Sequence, residues 1–261
     1  MNKTSHTGFY YFLLGFSLIF KKGIRHFVFI PLLINTLLFS GLIYYAMLSY
    51  ENIIAGLKAW LTLPDWLDWL TPIVGSIEWL ILPLFLITLA VFVFSAFSIV
   101  ATWISAPFNG ILAEAVEIHL TGEVLPSTPF SLLGVIKGIF ISIGTEIQKI
   151  LYYLQWVILL IIISFIPIIN IISPILWFIF WAWMLVVQYA DYPMGNHGLK
   201  PKAQRKLLGK KRFRSLQFGT ASLITTLVPA LNFIVIPVAV TGATALWVGE
   251  FKHLRDSTTS N

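Results

Sequence analysis

"SFIPIINIISPILWF", Ser164 to Phe178, joins two apolar runs through a segment with two prolines, an asparagine and a serine inside eight positions. Each of those residues favours a turn by its own chemistry. A turn in water is usually flanked by charge, yet no charged residue occurs from Ile150 to Ala190. Two long uncharged runs folded back at such a turn read as a helical hairpin whose solvent is lipid.

The same pattern recurs downstream. Ser215 to Gly249 is uncharged and is interrupted by Pro229, Asn232 and Pro237, so proline, two residues, asparagine and a second proline form a weak internal repeat. Two further uncharged stretches, His26 to Tyr50 and Trp79 to Ala113, each supply one ordinary span, with Pro31 near the start of one and Pro107 near the end of the other. A span needs about 20 apolar residues for a hydrocarbon core of roughly 30 Å. At about 1.5 Å per residue the arms Ser215–Val228 and Val238–Gly249 are roughly 21 and 18 Å long, too short to cross. The arms around "PIINIISP" come to about 25 Å and stand at the border, so a fully crossing hairpin remains the alternative. A bend at membrane depth must satisfy its own backbone groups. Asn170 or Ser173 would cap the first returning helix, with Pro174 in its first turn, and Asn232 the second.

The whole chain supports this frame: of 261 residues 58% are hydrophobic and 11% charged, far from a soluble domain. The expected fold is an all-α integral membrane protein forming a single membrane-embedded domain over residues 1–261. It has two long transmembrane helices at 26–50 and 79–105, and two helical hairpins that partly penetrate the bilayer at 150–190 and 215–249. Interfacial amphipathic helices complete it, the first at 8–25. That first apolar run, Gly8 to Phe20, is followed by "KKGIR" rather than by a small-residue cleavage site, and reads as a retained helix. The chain has no cysteine, which excludes disulfides, thiolate catalysis and zinc–thiolate sites. It has no GxxxxGK[ST] loop, and His26, His119 and His197 lack ligand spacing, so neither a cofactor nor a metal is expected.

Charge bias orients the molecule. Segment 51–78 holds Glu51, Asp65, Asp68 and Glu78 against the single Lys58, so 16 of the 17 Lys and Arg residues share the opposite face. The positive-inside rule makes that face cytoplasmic and segment 51–78 periplasmic, and Trp60, Trp66, Trp69 and Trp79 fit an interfacial belt. The densest basic run, Lys200 to Arg214, carries eight Lys and Arg and no acid. Anchoring on anionic lipid explains it, a substrate funnel or docking site being the alternative, and nucleic acid is not needed as a partner.

"KKGIRHFVFIPLLIN" carries more chemistry. Lys21, Lys22 and Arg25 surround Gly23 at the mouth of the first span, with Asn35 further along. Glycine lets backbone N–H groups come close to a ligand, and a guanidinium forks onto two oxygens of a tetrahedral oxyanion. Routine basic flanking of a span is the plainer reading. "PFNGILAEAVE" should open a helix after Pro107, with Asn109 as cap and Glu114 and Glu117 one turn apart. Those two glutamates either pair with nearby cations or line a pathway. Asn170 and Asn232, at the N-termini of the returning helices, are further pathway candidates because free N–H groups and the positive dipole end lie there.

Four motifs in order, "GFYYFLLGFSLIFKKGIRHFVFIPLLIN" (Gly8–Asn35), "APFNGILAEAVE" (Ala106–Glu117), "DYPMGNH" (Asp191–His197) and "SLQFG" (Ser215–Gly219), resemble the CysZ family of bacterial inner-membrane sulfate permeases. The resemblance implies sulfate uptake into the cytoplasm for cysteine biosynthesis, two long spanning helices with two partly penetrating helix pairs, and a homo-oligomer in contact with membrane lipid. The family's glycine-leucine-arginine sulfate motif falls on Gly23, Ile24 and Arg25, with Lys22 beside it. Isoleucine replaces leucine, a change that leaves a backbone donor intact. In "DYPMGNH", Gly195 stands where the family commonly has an acid. A non-transporting membrane scaffold, or a lipid-modifying enzyme using Asp191, Tyr192, Asn196 and His197, are the alternatives outside transport; the transporter reading makes the chain no enzyme.

Inward movement of dianionic sulfate against the membrane potential costs about 4.6 kcal/mol at 100 mV, twice the figure for one charge. Steep consumption inside or co-transported protons would each overcome it, and the sequence leaves both open.

Overall fold

The computed structural model describes residues 6–61, 65–124, 132–228 and 231–259. Among these residues all regular structure is helical. Ten α-helices follow in order: α1 (Gly8–Leu18), α2 (Arg25–Leu48), α3 (Tyr50–Leu61), α4 (Thr71–Thr121), α5 (Leu132–Ser164), α6 (Ser173–Asn196), α7 (Pro201–Lys210), α8 (Arg212–Thr226), α9 (Asn232–Leu246) and α10 (Lys252–Thr259). A 3₁₀ turn at Asp65–Leu70 precedes α4, and a π turn at Trp247–Phe251 joins α9 to α10. Two compact units divide the chain, Phe29–Pro107 and the remainder, so the division falls within α2 and within α4.

The side chains described in segment 29–107 are largely apolar and open. Leu33, Leu37, Ile43, Tyr44 and Tyr45 on α2, and Leu84, Ile87, Val91 and Phe92 on α4, are all exposed. Such a continuous apolar surface is unfavourable in water and natural in lipid. With 24 residues, α2 is about 36 Å long, enough to cross a bilayer. The helix α4 contains 51 residues in one piece. The expected stop near residue 105 and restart after Pro107 are therefore incorrect. A proline removes one backbone bond, but helices in membranes accept it when neighbouring groups compensate. Asn109 consequently lies in mid-helix and caps nothing; its Nδ2 donates to the Tyr192 hydroxyl at 3.3 Å.

The other unit, residues up to Val28 and from Phe108 onward, contains the core. Its centre is α1 against α9 and α8, and glycines allow the approach. A Cβ on Gly15 would lie 2.2 Å from the Val238 carbonyl oxygen, one on Gly242 would lie 2.7 Å from that of Tyr11, and one on Gly219 1.8 Å from that of Ala182. Small residues at helix crossings let backbones touch, which is how helices associate where lipid removes the hydrophobic drive. Thr241 adds an interhelical bond, its hydroxyl donating to the Gly15 carbonyl at 3.2 Å. Phe12, Phe218, Leu246, Trp247 and Phe251 fill the space around these crossings. The first helix ends at Leu18 rather than near residue 25, and Thr7 caps it by accepting from the Tyr10 N–H at 3.2 Å.

The first hairpin is α5, a bend and α6. Its apex is a three-residue turn about Ile168, closed by the Ile169 N–H on the Pro167 carbonyl at 2.9 Å. Ile168 sits at φ 72°, ψ −49°, a strained conformation for a β-branched residue. The expected caps do not form. The helix α6 begins at Ser173 with Ile172 in the cap position and no side-chain cap bond, and Asn170 is exposed at the bend. Ser173 instead ties the two arms together, its hydroxyl 2.5 Å from that of Ser164, which also accepts from the Trp177 indole at 3.2 Å. A second polar group in the facing arm offered a stronger bond than the exposed backbone.

The arms are longer than expected. The apolar windows Gly144–Ser164 and Ile169–Asn196 contain 21 and 28 residues, about 32 and 42 Å by rise, so length no longer argues for partial penetration here. They extend past Ile150 and Ala190 because the charges beyond are neutralised: Lys149 is buried and meets Asp191 at 2.9 Å and Glu146 at 2.6 Å. The second hairpin keeps one short arm, α8, with 15 residues and about 22 Å. Its returning helix α9 starts at Asn232 itself, with Leu231 before it, and runs through Pro237, so Asn232 is a first-turn residue and not the cap.

Candidate functional site

The turn between α1 and α2 brings Lys21, Lys22, Gly23, Ile24 and Arg25 together. Leu18 and Lys21 carbonyls fold the chain: Lys21 donates to the first at 3.0 Å, and Ile24 and Arg25 both donate to the second at 3.0 and 3.1 Å. Gly23 takes φ +93°, which a side chain would strain, while a Cβ there would meet nothing within 4 Å. Ile24 is 1% exposed and plugs the turn into the core beside Val28. The opposite side of the turn is open, with Lys21, Lys22, Gly23 and Arg25 all exposed.

Sequence reasoning assigned the backbone donors to Gly23 and Ile24, and geometry shifts them by one. The Ile24 N–H is spent on Lys21, whereas those of Lys22 and Gly23 have no hydrogen-bond partner among the described residues. The three cations likewise form no ion pair among the described residues. Arg25 is also the first residue of α2, so the positive end of that helix dipole adds to the field. Free N–H groups, unpaired cations and a helix N-terminus at one open turn are groups of the kind that can hold an oxyanion.

Several other cations in this unit are held in ion pairs. Glu117, 1% exposed near the end of α4, accepts from His197 Nε2 at 2.9 Å and pairs with Lys252 at 3.0 Å. Arg255 contacts His197 Nδ1 at 2.6 Å; a guanidinium has only donors, so Nδ1 accepts and the hydrogen on Nε2 faces Glu117. Burial raises the Glu117 carboxyl, but the hydrogen bonds from His197 and Lys252 outweigh it and hold it below the usual carboxylate range. Glu123, Asn196 and these four residues line a cleft of about 420 Å³. Glu114 is half-buried one turn earlier on α4.

A second cluster centres on Glu250, 3% exposed, which accepts from the Tyr11 hydroxyl at 2.9 Å, from Lys211 at 2.6 Å and from Arg214. Glu250 carries no sequence signal, and Tyr11, although it stands in the first quoted motif, has its partner 239 positions away. Asp191 and His197 do stand in a quoted motif, and both turn out to hold buried charge.

Among the remaining candidates, Asn170 lies exposed at the first bend, Asn35 is half-buried within α2, and Asn232 opens α9 with its side chain outside the described set. The structure therefore joins Lys22, Gly23, Ile24 and Arg25 in one turn and places Glu117 in a separate charged network.

The sequence from residue 11 to 237 matches the family described as Sulfate transporter CysZ/Etoposide-induced protein 2.4. An all-helical membrane chain matched over most of its length in this way belongs to that family.

Proposed function

We propose that this chain is a sulfate permease of the bacterial inner membrane that carries sulfate into the cytoplasm for cysteine biosynthesis, with Lys22, Gly23, Ile24 and Arg25 forming its anion site. The observation that carries the reading is the open cationic turn, in which two backbone N–H groups and three cations have no partner among the described residues. Arg25 forks onto the anion, the N–H groups of Lys22 and Gly23 complete the cradle, and Lys21 and Lys22 attract it from a distance. Ile24 acts by holding the turn to the core. The charge bias puts this turn at the cytoplasmic mouth, where a cation cluster retains a dianion that the inside-negative potential otherwise disfavours. Lipid and further copies of the chain, in a homo-oligomer, cover the exposed apolar helix faces.

The test is radiolabelled sulfate uptake into proteoliposomes of the purified protein. Uptake above empty vesicles, lowered in Arg25→Ala, supports the proposal. No uptake from well-folded protein under either an inward sulfate gradient or an imposed proton gradient favours a scaffold. Stimulation by the proton gradient alone would identify proton coupling.

A further inference from the structure

We propose that the groove enclosed by α5, α6, α7 and α8 is a binding site for one anionic glycerophospholipid, its phosphate held by Arg205, Lys206 and Arg212 and its acyl chains lying along α5 and α6. The groove has a volume of about 570 Å³. Its two ends differ in chemistry. At one end stand the three cations, with Tyr152 beside them; Arg205 stacks over the Tyr152 ring at 4.2 Å. At the other, Leu160 and Leu176 face each other close to the hairpin bend, with Phe180 between the ends.

The distance between those ends follows from the helix. Eight residues separate Tyr152 from Leu160 on α5, and eight separate Met184 from Leu176 on α6, each about 12 Å of rise. A ligand that fits must therefore be charged at one end and apolar for at least that length. Orientation agrees, because the charge bias that makes the basic face cytoplasmic places the cations at the inner interface and the apolar end toward mid-membrane. A phospholipid of the inner leaflet has that polarity and that direction.

Charge selects among lipids. One terminal guanidinium nitrogen of Arg205 is buried and has no hydrogen-bond partner among the described residues, a costly state that a phosphate oxygen would relieve. Lys206 and Arg212 form no ion pair among the described residues, unlike Lys211 and Arg214, which are taken by Glu250. A zwitterionic lipid brings its own cation into a site that already has three, whereas an anionic headgroup leaves them matched. Basic pockets between helices on the inner side are suited to such headgroups. Free sulfate or phosphate would satisfy Arg205 but leave the apolar walls uncovered. The proposal uses the orientation inferred from charge and is independent of the sulfate reading.

Native mass spectrometry of the full-length purified protein tests it, with phosphatidylglycerol and phosphatidylcholine of identical chains. One phosphatidylglycerol should stay bound at an activation energy that strips phosphatidylcholine, with at least about tenfold preference in a mixture. Arg205→Ala with Arg212→Ala should abolish the preference, and Arg212→Ala alone, at an exposed position, should reduce it severalfold without touching the fold. Leu160→Trp, which fills the apolar end, should lower retention of both lipids. Arg25→Ala should keep the lipid and so separate this site from the anion turn. Equal retention of the two lipids by the unmodified protein would overturn the proposal. So would an unchanged preference in Arg212→Ala and the double variant, or displacement of the lipid by millimolar inorganic phosphate, which would mark a simple anion site.

Discussion

Replacing Arg25 by alanine isolates the anion turn from the fold. Its side chain is exposed and makes no ion pair among the described residues, so its removal disturbs no packing, and Ile24 still anchors the turn. In the proposed role of Arg25, what is lost is a charge-assisted hydrogen bond to the anion, worth about 1.5–3 kcal/mol. Taking about 2 kcal/mol, the sulfate dissociation constant should rise roughly thirtyfold, since 1.4 kcal/mol is about tenfold. Arg25→Lys keeps the charge but loses the planar fork and should recover only part of the loss. Lys22→Ala should have a smaller effect that fades as ionic strength rises, because it acts through screened attraction. Lys58→Ala, in segment 51–78, should change nothing. The assay is equilibrium binding of sulfate to detergent-purified protein, with oligomer size checked for each variant. Unaltered affinity in well-folded Arg25→Ala would remove the turn from the mechanism.

Gly15→Val and Gly219→Val should each lower thermal stability by about 1–3 kcal/mol or more, because the new Cβ collides with a helix backbone. Gly144→Ala, where nothing lies within 4 Å, should not, and thermal unfolding in detergent compares them. Glu117 has a depressed carboxyl, so its contribution to stability is present above the usual carboxylate value and is lost as pH falls through the lower folded value. Acid unfolding profiles of Glu117→Gln should lack that limb and start less stable, since Lys252 loses a buried partner. In the cysteine-free chain, a cysteine placed at Trp66 should react with an impermeant thiol reagent from the periplasmic side, and cysteines at Lys206 and Leu227 should not. Ready labelling at Leu227 would show that the second hairpin crosses despite the short α8.

The hairpins were legible because proline, asparagine and the lack of charge are local signals. The lengths of their arms were not. Counting from Ile150 treated Glu146, Lys149 and Asp191 as the edge of the membrane segment, but Lys149 pairs with both acids and the helices continue. Cap assignments failed for a related reason: Ser173 found the Ser164 hydroxyl across the bend, a partner invisible in a one-dimensional reading. The cationic turn was legible because its residues are adjacent. The Glu117 and Glu250 clusters were not, since each joins helices distant in sequence. One clue to the crossing of α1 and α9 was present, glycines within both apolar helices, of which Gly15 and Gly242 leave no room for a Cβ against the facing helix.

The π turn at Trp247–Phe251, where the Lys252 N–H reaches back to the Trp247 carbonyl, inserts one extra residue into a continuous helical rod. Glu250 lies inside it and Lys252 and Arg255 lie beyond, so one rod carries members of both ionic clusters. Deleting one residue there would return that bond to the regular i→i−4 pattern and leave Lys252 and Arg255 close to their present phase, since a π turn takes up its extra residue within the turn itself. The change would fall on Glu250, which lies inside the turn and reaches Tyr11, Lys211 and Arg214 from its wider winding. The rod behaves as a key cut for two locks, and the extra residue in its middle seats one of them without turning the other.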